Sequence, residues 1–352
     1  MVDPPVKKSN SIEHLTRVDF LSELFNSSVG SVERLPLKTS GFSGSSHEKI
    51  VVKFENEETA PLILKYIYSS KDMTIWRSGN IGNREAMLLD DMEMAGVWDI
   101  FQSPCIAYAI EDNNSALLMH DVSKNLFPDV REPILPEQED FILQKLAQMH
   151  AHYWQHRILS KAWLTKQNAF FNFLSPLALA EEKAADRKHP LFDLAQNGWD
   201  LARQFLPADI RDFILNPPIE KMTEGLAKTL IHGDSKLANF AIMPDKKLCA
   251  FDWTMTASAS PAIEIGWYIA LNASRLARSK EEVMSRYREF LQTELDFAIE
   301  NKTWDQMVKV AVLTGAEVLL WNKALNLQKN IPGAKEEWDW WANSIRRIYL
   351  DQ

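Results

Sequence analysis

The chain has 352 residues, 46% of them apolar and 25% charged, which is ordinary globular composition and enough for two domains with a large core that needs no disulfide or structural metal. Thirty-nine basic residues stand against 48 acidic ones, a formal charge of −9 that argues against nucleic acid and an anionic membrane surface as partners. The two cysteines, Cys105 and Cys249, both sit in apolar runs, so two buried thiols in a reducing, cytoplasmic setting are expected. Residues 1–11 lack the apolar core of a signal peptide, and the most apolar long stretches, near 263–273 and 308–321, are interrupted by Glu264 and Glu317, so no membrane span is expected.

Residues 12–26 place Ile12, Leu15, Val18, Leu21 and Leu24 on one helical face. Three short strands follow at 29–37, 49–54 and 62–68, the first two joined by a turn of small residues at 39–46. A helix is predicted from about 83 to 95, then strands at 105–110 and 115–120. Beyond Asp121 the pattern turns helical: Pro136 opens a long helix, and further helical stretches lie at 191–205 and 208–215. A β island at 229–232, 240–243 and 248–251 interrupts them, and residues 262–350 are helical throughout. The expected class is therefore α+β: an N-terminal sheet-rich lobe over 1–121, led by the helix 12–26, and a helical lobe over 122–352.

The densest chemistry lies in the β island. Residues 232–239 read His-Gly-Asp-Ser-Lys-Leu-Ala-Asn between two apolar strands, and Asp252 follows thirteen residues after Asn239 in Phe251-Asp252-Trp253. Phosphoryl transfer needs a carboxylate near the attacking hydroxyl and oxygen ligands for magnesium around the phosphates. Asp234, Asn239 and Asp252 supply those groups in one compact segment.

These residues resemble the aminoglycoside phosphotransferase and choline-kinase-like superfamily, a branch of the protein-kinase fold. Ile231-His-Gly-Asp234, Asn239, Phe251-Asp-Trp253 and the Pro-led acidic helix Ser260-Pro-Ala-Ile-Glu264 match its pattern, as does Leu146-Ala-Gln-Met-His150-Ala in the long helix. The resemblance spans about residues 30 to 325 and implies a two-lobed, ATP- and Mg2+-dependent phosphotransferase acting on a small-molecule hydroxyl, with GTP also open. It makes Asp234 the catalytic aspartate and Asn239 and Asp252 the metal ligands. Lys65, in the apolar strand Leu62-Ile-Leu-Lys-Tyr-Ile67, would hold the α- and β-phosphates, paired with Glu85 at the start of the next helix. Lys53, one strand earlier, competes for that role but lies close to the glycine turn. Gly41, Ser43, Gly44 and Ser45 would cover the phosphates with backbone N–H groups. His120 and Val122 would line the base; His120 stands where the family usually has an acid.

Lys236 departs from most small-molecule members and matches Ser/Thr protein kinases, so its ammonium is expected to face the γ-phosphate. A peptide acceptor needs a long platform after the metal-binding aspartate, but only eight residues, 253–260, separate Asp252 from Pro261. A compact acceptor near Glu264 and Trp267 is therefore expected. The alternatives are a nucleotide-binding scaffold without turnover, disfavoured because Asp234, Asn239 and Asp252 are all present, and a protein kinase. Ten of the twelve tryptophans follow residue 150; Trp338 and Trp341 share a helical face with Ile345 and Ile348, which reads as core packing. Composition says nothing of oligomeric state.

Overall fold

The structure, a computed structural model, describes residues 6–37 and 44–351. The chain divides into two compact units, Met1–Pro128 with Ala238–Thr256, and Asp129–Leu237 with Ala257–Gln352.

The first unit is built on a six-stranded sheet: β1 (Lys7–Lys8), β2 (Val29–Leu37), β3 (Ser46–Phe54), β4 (Thr59–Ile67), β5 (Cys105–Glu111) and β6 (Asn114–His120), in the order β1-β5-β6-β4-β3-β2. All neighbours are antiparallel except β1 and β5. β4 alternates strictly. Leu62, Leu64 and Tyr66 pack with Leu15, Phe20 and Leu21 on one face, while Ile67 joins Ile75, Ala86 and Leu117 on the other. Period-two alternation therefore sends Lys65 to the face shared with Ile67.

Helices α1 (Val18–Phe25), α2 (Met73–Arg77) and α3 (Arg84–Asp90) belong to this unit. The single helix expected over 12–26 is instead a short 3-10 turn, Glu13–Thr16, and α1, broken at Arg17, whose backbone is extended. The helix expected to reach residue 95 stops at Asp91, whose side chain accepts the Glu93 N–H and starts a separate turn. A short polar side chain that can bond to its own backbone competes with the helix ladder in this way. The sequence does not mark α2, because five residues carry too little periodicity. Asp72 caps it by accepting the Thr74 and Ile75 N–H groups. A hairpin, Phe240–Ile242 with Leu248–Ala250, also belongs here.

The second unit is helical. Its long helices are Pro136–His152, Pro190–Phe205, Lys280–Leu295, Asn301–Gln328 and Ala334–Leu350. Pro261–Leu271 lies against Asn301–Gln328 with the backbones nearly touching: a Cβ on Gly266 would sit 2.2 Å from the Ala311 carbonyl oxygen. A three-stranded sheet has Ala257–Ala259 at its centre, between Thr165–Lys166 and Thr229–Ile231. Both cysteines are buried and unpaired. Among the described residues, no helix is long and apolar enough to cross a membrane.

Candidate functional site

In the first unit the chemistry centres on Lys65, which is almost wholly buried. Its Nζ donates to Glu85 Oε2 at 2.7 Å and to Asp252 Oδ1 at 2.8 Å. Burial alone would push the ammonium down, but Asp252 and then Glu85 outweigh it and hold it well above its ordinary value. A buried cation without such partners would cost several kcal/mol. Glu85 sits in the first turn of α3, and its other oxygen accepts the Asp252 backbone N–H at 2.7 Å. One carboxylate thus ties the lysine to the main chain of Asp252.

Asp252 itself has φ 64 and ψ 53, the left-handed region that non-glycine residues rarely enter. Such a conformation costs of order 1–3 kcal/mol and persists only when its surroundings over-determine it. Here they do. Trp253 is packed edge-on against Trp98 and Phe101 and donates to the Ala250 carbonyl. Thr254 Oγ1 donates to Asp252 Oδ1 at 2.9 Å. The buried Arg84 guanidinium grips the Thr254 carbonyl at 3.0 Å and the Ser78 hydroxyl at 2.8 Å, and burial pushes it down to about 10.

Asn239, nearly buried, opens the hairpin that Asp252 follows, and its carbonyl accepts the Phe251 N–H at 3.2 Å. The Phe240–Ala250 pairing is what brings two positions thirteen residues apart together. Gly44 has φ +109, and a Cβ there would meet the Lys71 carbonyl oxygen at 2.3 Å, so only glycine fits. Ser45 is half-buried beside it. Gly41 and Ser43 lie outside the described residues. His120 is exposed at the end of β6, its N–H donating to the Pro104 carbonyl, and the half-buried Val122 offers its carbonyl to the Asn125 N–H.

In the second unit the His-Gly-Asp loop is held at both ends by one helix. Glu264, fully buried in Pro261–Leu271, accepts the His232 N–H at 2.5 Å and the Gly233 N–H at 3.2 Å. Gly233 has φ 84, which this turn requires. At the helix C-terminus, Asn272 Oδ1 accepts the Leu237 N–H and Nδ2 donates to the Ser235 carbonyl. Burial would push the Glu264 carboxyl up; His150, with His232 and Ser235, outweighs burial and holds it below its ordinary value. His150 Nδ1 bonds Tyr287 Oη at 2.6 Å, tying Lys280–Leu295 into the same network.

Asp234 is anchored by its N–H on His232 Nδ1, and its Oδ2 accepts from Lys236 Nζ at 2.6 Å. Lys236 therefore pairs with the aspartate two residues away. Trp267 is buried edge-on between Phe170 and Phe173. Sequence reasoning missed the grip of Glu264 and Asn272 on the loop, and the parts played by Thr254 and Arg84. Asn272 carries no local signal, since its value depends on which loop its helix meets.

Comparison with known proteins follows the same lines. The model of the phosphotransferase enzyme family, APH, matches residues 109–299, more than half of the chain. Among solved structures, the ethanolamine kinase of Plasmodium vivax is 13% identical with a TM-score of 0.50, covering 92% of this chain and 82% of that one. The choline kinase LicA of Streptococcus pneumoniae is 12% identical, with a TM-score of 0.47 and coverage of 94% and 97%. The aminoglycoside phosphotransferase APH(3'')-Id of Streptomyces rimosus is 13% identical, with a TM-score of 0.40 and coverage of 81% and 92%. At such identities the likeness is one of fold. The curated proteins contain no match to the sequence. The fold is α+β and protein-kinase-like, and the chain belongs to the phosphotransferase enzyme family.

Proposed function

We propose that this protein transfers the terminal phosphoryl group of ATP to a hydroxyl of a small molecule, with Mg2+ as cofactor. The observation that carries the reading is the buried Lys65 between Glu85 and Asp252, with Asp252 locked in a left-handed conformation. Two carboxylates and one ammonium leave a negative balance, which a divalent cation complements. Asn239 and Asp252 are the residues that would hold the metal. Their oxygens suit a hard cation, whose remaining positions phosphate oxygens and water would fill. A magnesium ion held by these residues would neutralise charge on the phosphates.

Lys65 holds the α- and β-phosphates, and Glu85 holds Lys65. Gly44 and Ser45, with Gly41 and Ser43, cover the phosphates, and His120 and Val122 line the base. Asp234 orients the acceptor hydroxyl and takes its proton while the oxygen attacks the γ-phosphorus and ADP departs with the bridging electron pair. Lys236 offsets charge developing on the transferred group. Glu264 braces the loop, since both its oxygens are occupied by backbone N–H groups.

A small acceptor is favoured over a peptide because Ala257–Ala259 is paired on both edges. That centre strand offers a peptide no free edge among the described residues. The test is acceptor-dependent ADP release with Mg2+ across ethanolamine and other amino alcohols, aminoglycosides, sugars and sterols, repeated in EDTA. Nucleotide binding without turnover on any acceptor would favour a scaffold; efficient phosphorylation of peptides alone would overturn the acceptor class.

A further inference from the structure

β3 begins just after the glycine turn, and its second residue, His47, is the register partner of Lys65 on β4. Directly opposed residues on antiparallel strands project from the same face. His47 therefore lies on the face that carries Lys65, Glu85 and Asp252. Its Nδ1 is buried and has no hydrogen-bond partner among the described residues. Burial, then the nearby Lys65 ammonium, pushes the imidazole down to about 4, with Asp252 acting the other way. A buried polar atom without a partner is costly, and such atoms in folded proteins call for a ligand or a functional reason. None of the roles assigned above uses this side chain.

We propose that His47 reads the polyphosphate of the bound nucleotide, donating its Nδ1 hydrogen to a phosphate oxygen beside Lys65. The inference rests on the nucleotide-binding reading of the Lys65 cluster. The two side chains divide the work. Lys65 supplies charge and tolerates many phosphate positions, whereas an imidazole N–H is a single directed donor that adds no charge. His47 would thus discriminate between phosphorylated and unphosphorylated forms of one nucleoside, as a binding and specificity residue with no part in proton transfer.

The test is calorimetric titration of the full chain with ATP, ADP and adenosine, for wild type, His47→Ala, His47→Asn and Lys65→Met. His47→Ala should weaken ATP and ADP about tenfold, the loss of one hydrogen bond to a charged group, and leave adenosine unchanged. His47→Asn, whose amide nitrogen reaches the Nδ1 position, should recover most of the affinity. If His47→Ala does not fold, His47→Leu keeps the volume without the donor and should show the same loss. Unchanged ATP affinity in the alanine or leucine variant, while Lys65→Met loses it, refutes His47 alone. Equal loss of adenosine makes the effect one of packing and also refutes it. Failure of wild type to bind any of the three compounds would refute the nucleotide reading itself.

Discussion

Asp234 and Lys236 form a 2.6 Å ion pair, with the aspartate side chain 19% and the lysine 38% exposed. A pair this accessible contributes little to stability, typically about 0–1 kcal/mol, so its value is better sought in chemistry. Asp234→Ala should leave the melting temperature and nucleotide affinity nearly unchanged and lower turnover by about 10²–10⁴-fold, the range for a general base. Turnover measured on a purified, folded variant decides this, and wild-type rates would remove Asp234 from the mechanism. Lys236→Met separates two roles for the ammonium. If it stabilises the transferred group, kcat falls by more than about twofold, or roughly 0.4 kcal/mol; if it is merely a solvated partner of Asp234, kcat stays within that limit.

At the scale of elements, the loop depends on where Pro261–Leu271 lies, because Glu264 and Asn272 grip it from that helix. The helix is set in turn by its contact with Asn301–Gln328, where glycines replace side chains. A Cβ on Gly266 would stand 2.2 Å from the Ala311 carbonyl oxygen, and one on Gly315 would stand 2.6 Å from the Gly266 carbonyl oxygen. Neither backbone atom can swing aside as a flexible side chain would. Gly266→Ala should therefore cost about 1–3 kcal/mol, as overpacking does in a filled core, and lower turnover by displacing the loop. Gly30→Ala, whose nearest neighbour would lie 3.6 Å away, serves as the control and should unfold close to wild type. Equal melting temperatures for the two variants would show that the helices can part at little cost.

The whole molecule carries a carboxyl that none of this chemistry uses. Glu317 is fully buried in Asn301–Gln328, with neither oxygen hydrogen-bonded among the described residues, and burial pushes it well above its ordinary value. Such a group binds its proton more tightly in the folded state than in the unfolded one. Its contribution is therefore complete below the ordinary value near 4.5 and declines as pH rises toward the raised folded value, by roughly 1.4 kcal/mol for each unit between them. Glu317→Gln keeps the shape and removes the titration. Relative to wild type, its melting temperature should rise as pH is taken from about 5 to about 8; a difference that stays flat would mean that the carboxyl is ionised and paired.

Local chemistry made much of this protein readable from its sequence. The strand at 29–37 and the helix at 208–215 lie where the sequence places them, and Pro261 marks the first turn of the helix it opens. The ordered series Asp234, Asn239, Asp252 pointed to the phosphotransferase family, because a short loop and hairpin carry all three. Other features depend on what comes opposite and have no local pattern. Arg17 and Asp91 break helices that periodicity alone would continue. Glu264 looked like a candidate for contact with the acceptor, yet its oxygens are taken by the backbone of residues 232 and 233, 32 and 31 residues away in sequence. The turn residue Gly44 is confined by the backbone of Lys71, and His47 faces Lys65 only through strand register. Sequence spacing sets which groups are present; burial and pairing, which only the folded chain creates, decide whether each group is spent on structure or left to meet a ligand.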